Sequence, residues 1–179
     1  MEKIFFVDHP IKIPSIDVVK RILAEHFGVF DAKISRTENG KPYLENSKVK
    51  LFFSITHTEK LLFVVFSNEN VGADAELLSR EVQYESILRR FPIEEREEIR
   101  STQSFLCRWT IKESAIKWLG GTIARDLANL SYINGQLKYK QLELPVKITS
   151  RLFEGHVLAI CGERDFSSAP FIHYSIEKK

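Results

Sequence analysis

Residues 103–119 carry the strongest helical pattern in the chain. Gly120-Gly121 ends it, and strand-like runs stand on both sides. A helix set between groups of short strands constrains the fold to the α+β class. Upstream, 3–7 reads as a strand, and Pro10 and Pro14 break the chain. A helix then opens with Ser15 as its N-cap, shows Ile16, Val19, Ile22, Leu23 and Phe27 at helical spacing, and stops at Gly28. A turn at 38–42 follows, where Asn39-Gly40 accepts positive φ and Pro42 keeps Lys41 out of the helical region. Strands are expected at 51–56, 61–67 and 71–77, with the third as hairpin partner of the second. The charged stretch 82–100 reads as helical, with Pro92 opening its second part. Strands resume at 130–133, 136–141, 146–153, 156–161 and 171–176, with a turn at Asn134-Gly135. The order predicts two similar α+β halves, 1–80 and 102–179, joined by a helical connection over 81–101.

Composition removes several classes of function. A net charge of +2, with no basic block interleaved with aromatics, argues against nucleic-acid binding. The longest apolar run, 61–66, is far short of a membrane span, and the opening apolar run before Asp8 is too short for a signal-peptide core. Cys107 and Cys161 sit in apolar contexts, so two buried free thiols in a reducing compartment, the cytoplasm, are expected.

Two stretches carry the chemistry. In Val71-Gly72-Ala73-Asp74-Ala75-Glu76, the two acids are two apart on a strand and so share a face, with Ala73 and Ala75 opposite. Paired carboxylates repel and resist burial unless a cation compensates, and hard oxygen ligands suit magnesium. In Arg108-Trp109-Thr110-Ile111-Lys112-Glu113-Ser114-Ala115-Ile116-Lys117, Glu113 and Lys117 are four apart on one helix face. Taken singly, the first reads as an acidic strand end facing solvent and the second as an ordinary surface ion pair. Taken together, three carboxylates and two lysines suit a divalent metal holding a pyrophosphate, which points to phosphoryl-type transfer. His57, expected just after the strand 51–56 and flanked by Thr56 and Thr58, is a donor to phosphate or a satisfied turn histidine. Lys41, fixed before Pro42, is aimed by its turn.

The joint order of Gly40-Lys41-Pro42, Ser54-Ile55-Thr56-His57-Thr58, Gly72-Ala73-Asp74-Ala75-Glu76 and Trp109-Thr110-Ile111-Lys112-Glu113-Ser114-Ala115-Ile116-Lys117 resembles the 4′-phosphopantetheinyl transferase superfamily, in its larger, single-chain surfactin-synthetase type. The likeness runs from Gly40 to Gly120 and more loosely through 155–161. It implies a monomer of two pseudo-symmetric halves, each a helix packed on a mainly antiparallel sheet, with coenzyme A between them. It implies transfer of the phosphopantetheine arm of coenzyme A to a serine of an acyl or peptidyl carrier protein, with magnesium, releasing adenosine 3′,5′-bisphosphate. Fatty-acid, polyketide, nonribosomal-peptide and amino-acid biosynthesis carriers all remain open as partners. The contrasting reading is a coenzyme A or nucleotide-binding or protein-interaction domain without turnover.

The resemblance also assigns residues. Asp74, Glu76 and Glu113 match the metal-binding acids, and Lys117 the lysine near the reacting phosphate, so Glu113 and Lys117 are the catalytic pair. Thr56, His57 and Lys41, with Lys117, match contacts to coenzyme A. Glu95 matches another acid facing the site, and Lys20 or Arg21 a further phosphate contact. Lys112, Lys117, Arg89 and Arg90 are candidates for meeting an acidic carrier. The sequence departs from the family pattern in placing alanine at both positions flanking Asp74, where larger aliphatic residues are usual, which leaves the far strand face less filled. It also has threonines beside His57 and a short N-terminus.

Overall fold

The computed structural model describes residues 2–8, 13–45 and 49–176, so Pro10 lies outside it. In chain order the elements are β1 (Lys3–Asp8), α1 (Ser15–Phe27), β2 (Ile34–Arg36), β3 (Pro42–Leu44), β4 (Phe52–His57), β5 (Leu61–Ser67), β6 (Val71–Leu77), α2 (Glu85–Leu88), α3 (Ile93–Glu98) and α4 (Thr102–Leu119). They continue with α5 (Ile123–Asp126), β7 (Leu130–Ile133), β8 (Gln136–Tyr139), β9 (Leu142–Glu143), β10 (Lys147–Phe153), β11 (His156–Gly162) and β12 (Phe171–His173). The chain is α+β. One sheet runs β12-β1-β5-β4, a second β10-β11-β6, and the hairpin β2-β3 and the meander β7-β8-β9 stand apart.

The layers follow from which face of each strand is apolar. Phe5, Val7, Leu62, Val64 and Phe66 face α1 and meet its Val18, Val19, Ile22 and Leu23. The alternate residues Ile4, Leu61, Phe63 and Val65 meet Val71, Ala73, Ala75, Leu158 and Ile160 of the second sheet. Beyond that sheet, Cys161 packs with Phe105, Leu106, Ala115 and Ile116 of α4. The order is helix, sheet, sheet, helix. It accounts for the unbroken apolar run of β5, because a strand between two layers is covered on both faces. Each large side chain so buried contributes about 1.5–3 kcal/mol.

The strands do not pair as their order in sequence predicts. β6 is not the hairpin partner of β5: both edges of β5 are already taken, by β1 and β4, and β6 crosses to pair antiparallel with β11. β12 crosses the other way and lies parallel to β1. The edges of the two sheets meet where β4 runs beside β6, and side chains join them there. Ser54 Oγ accepts from Ala73 N at 2.9 Å, and Thr56 Oγ1 accepts from Ala75 N at 3.2 Å. Thr58 Oγ1 lies 3.0 Å from His156 Nε2, on β11. His156 Nδ1 is 2.9 Å from the Glu154 carbonyl, which can only accept. The Glu154 carbonyl therefore accepts from Nδ1–H, and Nε2 shares its hydrogen bond with the Thr58 hydroxyl. Three hydroxyls at alternate positions form one seam.

Local differences have local causes. Ser15 is the first helical residue of α1, not its cap; Pro14 holds the cap position with no side-chain bond, and Gly28 closes the helix at φ 68°. The stretch 82–100 forms two short helices, α2 and α3. Pro92, extended at ψ 147°, stands between them and lacks the N–H a continuous helix needs. His57 is the last residue of β4 and does not follow the strand. Cys107 is half-buried, whereas Cys161 is buried; both are free thiols, and burial pushes Cys161 up to about 12. The far face of β6 is filled: Ala73 and Ala75 are buried among Phe63, Leu158 and Ile160. Among the described residues, no helix is long and apolar enough to cross a membrane.

Candidate active site

The site is built where β6 passes under α4. Gly72 makes the approach possible. A Cβ there would fall inside contact distance of Ser114 O and Trp118 N, both backbone atoms of α4. With no side chain in the way, the helix lies close on the strand. The next residues on that face, Asp74 and Glu76, then come under the turn of α4 that carries Glu113 and Lys117. α4 itself is fixed at both ends, by a capping box between Ser101 and Ser104 and by Gly120 at φ 64°.

Asp74 is 6% exposed. Its Oδ1 accepts from Lys117 Nζ at 2.7 Å and from Thr56 Oγ1 at 3.0 Å. Glu76 is held by Arg80, whose Nη1 lies 2.9 and 2.7 Å from its two oxygens. Glu113 is pushed up to about 7, first by burial, then by the charge of Asp74 and, more weakly, of Glu76, against the opposing pull of Lys117 and Arg80. The three carboxylates are thus within electrostatic reach of one another. Among the described residues they do not close into a ligating trio; Lys117 and Arg80 each hold one of them instead. The donor set still fits a divalent cation: hard carboxylate oxygens from three acids, two of them now held by Lys117 and Arg80 where a cation's charge would serve.

A cleft of about 550 Å³ opens on one side of Asp74, lined among others by Arg36, Lys41, Thr56, His57 and Lys117. A second, of about 740 Å³, opens on the other side and carries Glu76, Arg80 and Glu59; His57 and Asp74 line both. Lys41 reaches the first cleft because the β2-β3 hairpin is fastened to the end of α4. Asn39 Nδ2 donates to Gly120 O at 2.7 Å, and Lys41 Nζ donates to Trp118 O at 3.3 Å and to Asn70 Oδ1 at 2.6 Å. Burial pulls Lys41 down to about 8.

The structure therefore brings Asp74, Glu76, Glu113, Lys117, Thr56, His57 and Lys41 to one region. It takes others away. Glu95 does not face the site. It is 0% exposed and pairs with Lys112 Nζ at 2.8 Å, while its Oε1 accepts from Tyr132 N. Lys112 is equally buried and offers nothing to a partner protein. Arg90 is spent on the carbonyls of Ile123 and Ala124. Lys20 and Arg21 are exposed on α1 and do not line the cleft, whereas Arg36 does. Arg36, Ser54 and Arg80 escaped the sequence reading. The signal for Arg36 was the turn at 38–42, which folds residue 36 back beside residue 42 once the hairpin is recognised. For Arg80 it was a spacing of four from Glu76.

The family model of the 4′-phosphopantetheinyl transferase superfamily matches residues 70–161, just over half of the chain, from the start of β6 through α4 to β11. The chain belongs to that superfamily. At this level the match assigns a transferase activity, in a family that uses coenzyme A to modify carrier proteins. No curated protein matches the chain.

Proposed function

We propose that this chain transfers the 4′-phosphopantetheine arm of coenzyme A to a serine of an acyl or peptidyl carrier protein, releasing adenosine 3′,5′-bisphosphate, as a cytoplasmic monomer of the surfactin-synthetase type. On this reading 1–80 and 102–179 are pseudo-symmetric halves joined by 81–101, with β6 and β12 each lent to the other half's sheet. The observation that carries it is the meeting of Asp74 and Lys117, 2.7 Å apart, in the wall of a cationic cleft, with Glu113 half-buried behind them and raised to about 7 by burial and by the charge of Asp74.

The division of labour follows from charge. Arg36, Lys41 and His57 line one cleft and suit the phosphates of coenzyme A. Lys117 adds charge beside the reacting pyrophosphate. Asp74, Glu76 and Glu113 would hold magnesium, which when bound supplies charge stabilisation for the pyrophosphate oxygens. Glu113, directly or through a water, takes the proton of the carrier serine as its Oγ forms a bond to the β-phosphorus. The bond from that phosphorus to the bridging oxygen breaks, and the bisphosphate leaves with the electron pair. Thr56 orients Asp74 through the 3.0 Å bond between them.

The test is mass spectrometry of a panel of apo carrier proteins after incubation with coenzyme A and magnesium. One or more carriers gain the mass of the phosphopantetheine arm, and chelation abolishes the gain. A panel left wholly unmodified, with coenzyme A still bound in calorimetry, would establish the binding module instead.

A further inference from the structure

The reaction above gives Arg80 no role, yet its guanidinium holds both oxygens of an acid the reaction needs. Arg80 Nη1 lies 2.9 and 2.7 Å from Glu76 Oε1 and Oε2. Its side chain is 52% exposed and that of Glu76 13%. Both line the 740 Å³ cleft, with Asp74, Glu59 and Glu81 in the same wall. Glu76, Glu59 and Asp74 all favour the charged guanidinium, and Arg80 in turn acts on Glu113. A positive charge at this point is what the acids call for, and a side chain supplies it.

The hold is of an exchangeable kind. An ion pair reaching four residues along the chain, with one partner half in water, is screened and weak. Lys117 on Asp74 differs: it is 31% exposed, and its partner is also fixed by Thr56. A phosphate that reaches past Asp74 from the cationic cleft offers the guanidinium fork a better partner than a single carboxylate. When Arg80 turns to that phosphate, both oxygens of Glu76 come free. When a divalent cation takes Glu76, Arg80 comes free for the phosphate. Each ligand removes the obstacle to the other.

We propose that Arg80 is a resident counter-ion that couples divalent-cation binding to phosphate binding beside Asp74, where the two clefts meet. The inference rests on the reading of Asp74, Glu76 and Glu113 as cation ligands given under Proposed function. Because linkage is reciprocal, coenzyme A tightens the cation by the same factor as the cation tightens coenzyme A.

Titration of Mn²⁺, followed by electron paramagnetic resonance of the free ion with and without coenzyme A and corrected by protein-free titrations, tests the coupling without turnover. In the parent protein Mn²⁺ binds weakly alone and more tightly with coenzyme A. Arg80→Gln binds Mn²⁺ alone about tenfold more tightly, about 1.4 kcal/mol, and the further gain from coenzyme A shrinks. Arg80→Lys, which keeps the charge, stays close to the parent in Mn²⁺ affinity. If the parent binds Mn²⁺ and Arg80→Gln fails to show either change, the coupling is overturned and the reading of the acids stands. If the parent binds no Mn²⁺ with or without coenzyme A, that reading falls and the coupling with it.

Discussion

Two lysine–carboxylate pairs hang from the same helix, five residues apart and almost equal in length. Lys112 meets Glu95 at 2.8 Å, and Lys117 meets Asp74 at 2.7 Å. The first pair is sealed: neither side chain is exposed, Lys112 also donates to Leu130 O, and Phe91 lies under its ammonium. The second opens on the cleft. Distance alone would rank them as equals. Their surroundings make one a fastening of α3, α4 and β7, and the other a pair that faces the cleft, its acid also held by Thr56. A buried pair has lost its hydration; a pair at a cleft edge keeps solvent and an incoming ligand within reach.

Breaking the sealed pair should give the largest effect. Lys112→Ala leaves Glu95 buried without its closest cation, with only Arg108 at 3.8 Å and the Tyr132 N–H beside it, at a cost of up to about 3–5 kcal/mol, read as a lower midpoint in urea unfolding. Removing both charges together, as Lys112→Met with Glu95→Leu, restores most of that stability. The open pair should answer in the opposite currency of measurement. Lys117→Ala leaves Asp74 its bond from Thr56 and should cost less stability than opening the sealed pair, but about a hundredfold in transfer rate, and near-parental turnover would strip Lys117 of its assigned role.

Gly72→Ala probes how the open pair is brought together. The added methyl meets the α4 backbone, which has no free end to swing aside. A loss of about 1–3 kcal/mol is expected, with turnover falling as α4 lifts from Asp74. The sealed pair, on the other side of the helix, should stay intact, and a crystal structure of the variant would show both. The smallest effect concerns Lys41, a lysine that the structure gives neutral acceptors in place of a carboxylate. Its charge is present below about 8 and lost above it. Coenzyme A should therefore bind a few-fold more weakly as pH rises through about 8. Lys41→Arg, which stays charged, should flatten that step in calorimetry.

The sequence spoke clearly where a residue's neighbours along the chain decide its place. α4 and its Gly120 stop, β5, and the two acids on one face of β6 all follow from spacing and capping. The elements it hid are two to four residues long: β2, β3, β9 and α5 are too short for either period to register. The strand pairing was hidden for another reason. Nothing in Val71–Leu77 says whether its ladder partner lies just upstream or about eighty residues downstream, and a three-residue connection serves a hairpin and a crossing alike. Glu95 and Lys112 misled because acidic and basic letters are read as surface or site. Only the fold reveals that they neutralise one another inside the core. Arg80 went unread because an i,i+4 pair is ordinary until its acid is one that matters.

The row of Ser54, Thr56 and Thr58 makes the boundary between the sheets an adjustable joint. Neither sheet depends on it for its own ladder, so swapping one hydroxyl residue for another changes the gap by about a methyl group without unpicking a strand. Ser54 and Thr56 also line the cleft of about 550 Å³, so a residue exchanged in the joint is felt in the cleft wall as well.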